Sequence, residues 1–122
     1  MRKIIAAVVA AELAVIAAGS AARPHAFLDH ASPAVGSAVA ASPQAVTLWF
    51  TQELEPAFSS VTVTNQAGQR VDLGNAQVPQ TAPAQLQIGL RPLSPGTYTV
   101  SWHVVSVDTH RTEGRFEFTI GQ

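Results

Sequence analysis

Hydrophobic residues recur at every second position in several short segments of the chain. Segments 46–51 and 61–64 alternate Val, Leu or Phe with Thr or Trp. A repeat of two is typical of strands that bury one face. Further strands are predicted by the same reasoning at 26–30, 70–73, 86–90, 97–107 and 115–120. The pattern therefore predicts about seven short strands.

Turn residues separate these segments. The sequence NQAG at 65–68 predicts a hairpin between 61–64 and 70–73, and LSPG at 93–96 leads into the longest strand. No segment after residue 24 has the 3.6-residue apolar period of a helix, and eight prolines punctuate the chain. We predict an all-β domain, a single immunoglobulin-like Greek-key β-sandwich, with a small closed barrel as the alternative.

The first 24 residues differ from the rest. Arg2 and Lys3 precede the apolar segment 4–18, which Glu12 interrupts, and small residues follow it. This pattern predicts a cleavable signal peptide over 1–24 and one domain over 25–122; a single uncleaved membrane anchor is the alternative, but the apolar run is short for a span. We expect export to the periplasm.

The charge and sulfur content of residues 25–122 limit the partners and the donor atoms. Seven carboxylates stand against four arginines and no lysine, which leaves a net charge near −3 and excludes nucleic acid as an expected partner. The chain has no cysteine, and its only methionine is Met1. A metal site in the exported domain must therefore use nitrogen and oxygen donors.

The longest predicted strand ends in a group of potential metal ligands. In an extended chain Trp102, Val104 and Ser106 share a face, and continued extension would add Asp108 and His110 to it. The apolar part would then support a carboxylate and an imidazole at the edge of the sheet. The plainer alternative is a turn in which Asp108 bonds the backbone that follows it. A metal needs a third ligand, and His25 is the candidate, since an N-terminal histidine offers both an amine and an imidazole.

Three segments carry a family resemblance: HAFLDHASPAVGSAV at 25–39, VTLWFTQELEPAFSSVTVT at 46–64 and LSPGTYTVSWHVVSVDTHRTEGRFEFTI at 93–120. In this order they resemble the CopC/PcoC family of periplasmic copper-binding proteins. The resemblance implies a small β-sandwich that binds one Cu(II) per chain through His25, Asp108 and His110. Nitrogen and carboxylate donors in a near-planar set suit Cu(II), whereas zinc prefers a tetrahedral set.

The sequence departs from that family in two respects. Some relatives hold a second, cuprous site in a methionine-rich loop, and without methionine after Met1 this chain is expected to bind Cu(II) only. Arg23 and Pro24 precede His25, whereas the family's metal histidine is the first residue of the mature protein. Pro24 also has no amide proton to lose, which blocks a site built from the intervening amide nitrogens.

Other polar residues have simpler interpretations. His30 and His103 are expected to be strand residues directed away from the site, and Glu53 and Glu55 to lie in a solvated turn rather than form an acid–base pair. Glu113 is a candidate to orient the second nitrogen of His110.

The leading functional hypothesis is a non-enzymatic, monomeric copper carrier for homeostasis or resistance. The resemblance implies a CopD-like inner-membrane protein as its partner. One alternative is a copper enzyme resembling the lytic polysaccharide monooxygenases, which Asp108 disfavours because an anionic ligand stabilises Cu(II) against reduction. The other is an immunoglobulin-like structural domain without metal. The true mature N-terminus, the direction of copper transfer and the affinity stay open.

Overall fold

The computed structural model describes residues 26–121, so the predicted signal peptide at 1–24 and the predicted ligand His25 lie outside the described residues. Within 26–121 the chain forms seven strands and one short 3-10 turn, Pro56–Phe58. The strands are β1 Leu28–Ser32, β2 Ala38–Val39, β3 Ala45–Phe50, β4 Ser60–Thr64, β5 Gln85–Gly89, β6 Gly96–Val105 and β7 Arg111–Ile120. No helix in this part of the chain is long and apolar enough to span a membrane.

The strands form two separate sheets. One sheet has the order β1-β3-β5 and the other the order β2-β7-β6-β4. All neighbours are antiparallel except β2, which pairs parallel with the end of β7. The predicted all-β sandwich of about seven strands is confirmed, and the two sheets do not close into the alternative barrel.

The core lies between the sheets because every second residue of β3, β4, β5 and β6, and of the second half of β7, points inward. Along β6 the buried positions alternate with partly or fully exposed ones, as the sequence pattern predicts. Aromatic rings fill much of this space: Phe50 meets Trp102 edge to face, and Tyr98 stacks on Phe118. This packing gives β6 and β7 a rigid base for the loop that joins them.

The prediction of a regular strand at 70–73, paired with 61–64 in a hairpin, is wrong. The turn after Asn65 forms, and the Val71 amide donates to the Val63 carbonyl. Asp72, however, is buried and bridges to Leu90 at the end of the other sheet. The segment therefore crosses from one sheet to the other. The Asp72 carboxylate can be buried at this crossing because Arg70 and two backbone amides donate hydrogen bonds to it.

Element ends also differ from the sequence prediction. β6 stops at Val105, two residues early, and β7 begins at Arg111, four residues before the predicted start. The two-residue β2 and the 3-10 turn were not predicted, since elements this short have no periodicity to detect.

Three segments meet at the end of the sandwich where β6 and β7 are joined. The Thr51 amide donates to the Phe27 carbonyl, and the Glu55 amide donates to the Val105 carbonyl at 2.8 Å. The Val107 amide donates to the Glu53 carbonyl at 3.0 Å. This backbone network fixes the start of the described chain, the 51–55 loop and the 106–110 loop relative to one another.

Candidate metal site at the β6–β7 loop

A five-residue loop, Ser106 to His110, joins β6 to β7. The last strand pair is Val105 with Arg111, after which the Ser106 amide donates to the His110 carbonyl at 3.0 Å. The Thr109 amide donates to the Ser106 carbonyl at 2.8 Å. The loop is thus closed by its own backbone, and the side chains of Asp108 and His110 project from a defined frame.

The structure brings Asp108 and His110 together. His110 Nδ1 lies 3.3 Å from Asp108 Oδ1, and the two side chains are 45% and 36% exposed. Their closeness does not come from the predicted extended strand, because β6 ends at Val105. Thr109 adopts a positive φ of 72°, and the resulting reversal makes the neighbouring side chains converge.

Ser106 supports the Asp108 carboxylate from the buried side. Ser106 is fully buried, and its hydroxyl donates a hydrogen bond to Asp108 Oδ1. This bond is the largest cause of an Asp108 pKa below its usual range; desolvation opposes it, and His110 lowers the pKa further. Asp108 is therefore held as an anion. The alternation in the sequence predicted that Ser106 shares a face with Trp102 and Val104 but gave no indication of this role.

The beginning of the described chain lies beside the same loop. Ala26 is fully buried, and its carbonyl accepts a 2.7 Å hydrogen bond from Thr112 Oγ1. Thr112 is two residues after His110, so the residue that follows His25 is anchored next to the start of β7. Thr112 was missed from sequence because a strand threonine carries no signal of such a contact.

The remaining histidines lie elsewhere. His30 stacks on Trp49 with ring centroids 4.4 Å apart, and its Nδ1 is 2.7 Å from Asp29 Oδ2. His103 is exposed on β6, opposite Glu113 on β7, with Nε2 3.3 Å from Oε1. Glu113 thus pairs with the strand histidine, rather than in the expected role of orienting His110.

The two acidic residues of the 51–55 loop have no arrangement typical of catalysis. Glu53 is exposed and Glu55 is partly exposed, and both hold the loop through their backbones rather than through their carboxylates. The expectation of a solvated turn agrees with this placement.

The donor atoms at the loop fit a metal in part. His110 Nδ1 and Asp108 Oδ1 are 3.3 Å apart, so with each about 2.0–2.1 Å from a shared ion the donor–metal–donor angle would be roughly 104–111°. If the two atoms were closer by roughly a few tenths of an ångström, the angle would be the 90° of a square-planar set. Within residues 26–121 no group of three or more His, Cys, Asp or Glu side chains could hold an ion. Among the described side chains of these four types, Asp108 and His110 thus offer two neighbouring donor atoms and not a third.

Curated proteins are similar in sequence to this chain over most of its length. Protein YobA of Escherichia coli K12 is 41% identical over 97 residues, covering 79% of this chain and 78% of that protein. The Copper transport protein CutJ of Bacillus subtilis is 28% identical over 99 residues, covering 80% of this chain but only 18% of that longer protein.

Solved structures agree in fold. CopC from Methylosinus trichosporium OB3b is 38% identical with a TM-score of 0.75, covering 80% of this chain and 94% of that one. PcoC, described as a methionine-rich copper resistance protein from Escherichia coli, is 35% identical with a TM-score of 0.66, covering 79% and 98%. The CopC domain family matches residues 28–121, which include the whole β-sandwich and the loop that carries Asp108 and His110. The chain therefore belongs to the CopC family of copper-binding proteins and acts in copper homeostasis.

Proposed function

We propose that this protein binds one Cu(II) ion per chain through His25, Asp108 and His110. The observation that carries the proposal is the hydrogen bond from Thr112 Oγ1 to the Ala26 carbonyl, 2.7 Å long. It anchors the residue after His25 beside the loop in which Asp108 and His110 lie 3.3 Å apart. A chain tied at Ala26 has little distance to cover before an imidazole or a terminal amine reaches the same ion.

The donor chemistry favours the cupric state. Imidazole, amine and carboxylate are suited to Cu(II), whereas Cu(I) prefers thiolate and thioether sulfur. Neither cysteine nor methionine occurs after Met1. The chain thus differs from PcoC, which is a methionine-rich protein. We propose that it has a single cupric site and no cuprous site.

The Asp108 carboxylate contributes charge as well as geometry. Its pKa lies below the usual range, so it is ionised at neutral pH and stays so at more acidic pH than an ordinary aspartate, and no proton has to leave before it takes a cation. Negative charge at a ligand also favours the more highly charged ion. The site is therefore better suited to holding Cu(II) than to cycling it through Cu(I), and we propose binding without catalysis.

We further propose that copper is the cargo of an exported carrier in the periplasm. Asp108 and His110 remain more than one-third exposed at a loop, where another protein can reach an ion held between them. In CutJ a region similar to this chain makes up a small part of a longer copper transport protein. That arrangement supports delivery to a membrane partner of the CopD kind, besides simple buffering.

The test is a Cu(II) titration of the exported protein with a competing chelator, combined with electron paramagnetic resonance. We expect one equivalent and a type 2 spectrum. His110→Ala and Asp108→Ala should each weaken binding by at least about a hundredfold, more than a typical supporting residue does. His103→Ala is the matched control, since His103 also has a carboxylate partner at 3.3 Å, and it should leave the tight site unchanged.

His25 needs its own test. Mass spectrometry of the exported protein establishes whether His25 is the first residue, and His25→Ala should weaken binding as strongly as His110→Ala. Tight binding that survives His110→Ala would overturn the whole site. Loss with His110→Ala but not with His25→Ala would overturn only the N-terminal ligand.

A further inference from the structure

A short segment, 23–25, stands between the small residues at 20–22 and the first described residue, Ala26. Signal peptides end in a small-x-small pattern directly before the cut, and Ser20-Ala21-Ala22 fits that pattern. A cut directly before His25 would instead place Pro24 next to the cut bond, where the pattern requires a small residue. Removal of the predicted signal peptide therefore leaves a chain that begins at Arg23.

A chain that begins at Arg23 cannot supply the amine donor expected from His25. In that chain the nitrogen of His25 belongs to its peptide bond with Pro24. A chelate that runs from the Arg23 amine through the intervening amides to the His25 imidazole is also blocked, because Pro24 has no amide proton to lose. Removal of two more residues makes the His25 nitrogen a free amine, and such amines, with a pKa of about 7.7–8.0, give up a proton to a metal near neutral pH.

The sequence Arg23-Pro24-His25 determines which kind of peptidase can remove those two residues. Proline has a fixed φ and no N–H, so enzymes that remove one residue at a time stop before a proline in second position. Dipeptidyl peptidases of the prolyl class require that proline. They hydrolyse the bond after it and release the first two residues together.

We propose that a prolyl dipeptidyl peptidase completes the copper site by removing Arg23 and Pro24 after the signal peptide has been cut off. Water adds across the Pro24–His25 bond, the dipeptide leaves with the new carboxylate, and His25 keeps the new amine. The proposal rests on the proposed role of His25 as a copper ligand. It makes the peptidase a partner of this protein that acts before copper binds.

The fold protects the chain directly after His25. Ala26 is fully buried, and its carbonyl accepts the 2.7 Å hydrogen bond from Thr112 Oγ1. The Phe27 amide donates to Thr51 Oγ1 at 2.9 Å, and the Phe27 carbonyl accepts from the Thr51 amide at 2.9 Å. A peptidase binds its substrate as an extended chain, so a cut between Ala26 and Phe27 requires these hydrogen bonds to open first.

This protection matters because the next dipeptide is also a substrate. Once His25 is the first residue, Ala26 is the second, and prolyl dipeptidyl peptidases accept alanine in that position, although more slowly than proline. In an unfolded chain a second cut would remove His25 together with Ala26. The hydrogen bonds at Ala26 and Phe27 therefore make the folded protein lose one dipeptide and keep the ligand.

Intact-mass spectrometry of the exported protein is the first test. We expect the parent protein to begin at His25. Cells grown with a dipeptide boronic acid that inhibits prolyl dipeptidyl peptidases should export a chain that begins at Arg23. A parent protein that begins at Arg23 without the inhibitor would overturn the proposal, and so would one that begins at His25 in its presence.

Digestion of a purified chain that begins at Arg23 tests the cut and its limit. A purified prolyl dipeptidyl peptidase should remove one dipeptide from the folded protein and two from a synthetic peptide of residues 23–32. Pro24→Leu should resist the enzyme, whereas Arg23→Gln is the control and should be cut like the parent. A folded protein that keeps Arg23, or that loses residues 25–26 as fast as the peptide does, would contradict the proposal.

Copper binding distinguishes this proposal from the site that it completes. Competition with a chelator should show a Cu(II) affinity at least about tenfold higher after digestion than before it, because the amine has been released. Equal affinities would overturn the proposal. His110→Ala in the digested protein tests the copper site itself, and its outcome does not depend on how the N-terminus was produced.

Discussion

The Thr112 hydroxyl donates a 2.7 Å hydrogen bond to the carbonyl oxygen of Ala26, which joins the beginning of the β-sandwich to the start of β7. The two residues are 86 positions apart in the chain. Each adjoins a proposed ligand: Ala26 follows His25, and Thr112 is two residues after His110. If the proposed ligands are correct, this contact sets how close the two segments that carry them can come.

Thr112→Val should weaken copper binding without removing a ligand. Valine keeps the shape of threonine but cannot donate to the buried Ala26 carbonyl, and losing such a hydrogen bond costs about 0.5–1.5 kcal/mol. If the bond holds His25 near the loop, the Cu(II) affinity should fall by up to about tenfold. Thr112→Ser keeps a hydroxyl and is the control. Equal affinities of the Val and Ser variants in a chelator competition would show that the tether does not contribute.

Ser106→Ala should affect the site through Asp108. The variant removes the hydroxyl that donates to Asp108 Oδ1 and leaves the fold with a residue of nearly the same size. Losing a residue that positions a ligand typically lowers metal affinity by about tenfold to a hundredfold. Ser101→Ala, in the preceding strand β6, should not change the affinity. A Ser106→Ala protein that binds Cu(II) as tightly as the parent would contradict this supporting role.

The fold was largely predictable from sequence because a buried strand face leaves a repeat of two. That repeat identified β3, β4, β5, β6 and β7 within a few residues at most of their ends. It failed at 70–73, where the carboxylate of Asp72 is buried with its own set of donors and carries the chain from one sheet to the other. Alternation in the sequence indicates which residues are buried, but it does not indicate which groups donate hydrogen bonds to a buried carboxylate.

The closeness of Asp108 and His110 was predictable from the sequence, but the backbone geometry that produces it was not. Asp108 and His110 were found from their chemistry and spacing, although an extended strand does not bring them together. Their convergence depends on the left-handed backbone at Thr109, a conformation that β-branched residues rarely adopt and that no sequence rule would place there. Ser106 was on the predicted buried face, so the sequence did contain a signal for it: a buried hydroxyl needs a hydrogen-bond partner.

Thr109→Asn should stabilise the loop because asparagine tolerates a positive φ better than threonine does. The gain in the free energy of unfolding should be about 0.5–1 kcal/mol, reduced by whatever the Thr109 hydroxyl contributes through its bond to the Asp108 carbonyl. Thr99→Asn, at a strand position with ordinary backbone, should be neutral or destabilising. Urea denaturation followed by circular dichroism measures both. A Thr109→Asn protein less stable than the parent would show that the hydroxyl outweighs the strain.

Gly114→Ala should destabilise the fold by overpacking. A Cβ at Gly114 would lie 2.6 Å from Cζ2 and 3.0 Å from Cε2 of Trp102, and that indole is buried and cannot move aside freely. Overpacking of this kind costs about 1–3 kcal/mol. Gly121→Ala is the control, since its nearest neighbour would be an ordinary 3.8 Å away. In a Trp102→Phe background the cost of Gly114→Ala should shrink, and an unchanged cost would rule out the indole as its cause.

Asp72 should make the free energy of unfolding fall at acidic pH. Burial raises its pKa, but the ion pair with Arg70 and the amides of Val63 and Gly74 outweigh burial, so the pKa in the folded state is below its usual range. The unfolded chain, with a pKa of about 3.9, then binds the proton more readily than the folded one. The stabilisation by this carboxylate is therefore complete well above about pH 4 and is lost as the pH falls through the lower, folded-state pKa.

Asp72→Asn tests this linkage directly. At neutral pH the variant should lose about 1–3 kcal/mol of the free energy of unfolding, because the amide weakens charge-assisted hydrogen bonds to a nearly inaccessible group. Below about pH 4 the difference between parent and variant should shrink, since the parent carboxylate is then losing its charge as well. Glu53→Gln, which changes an exposed carboxylate, should follow the parent across the range. Urea denaturation at several pH values measures the three proteins, and a difference between parent and Asp72→Asn that stays constant down to pH 2 would contradict the assignment of the acid sensitivity to Asp72.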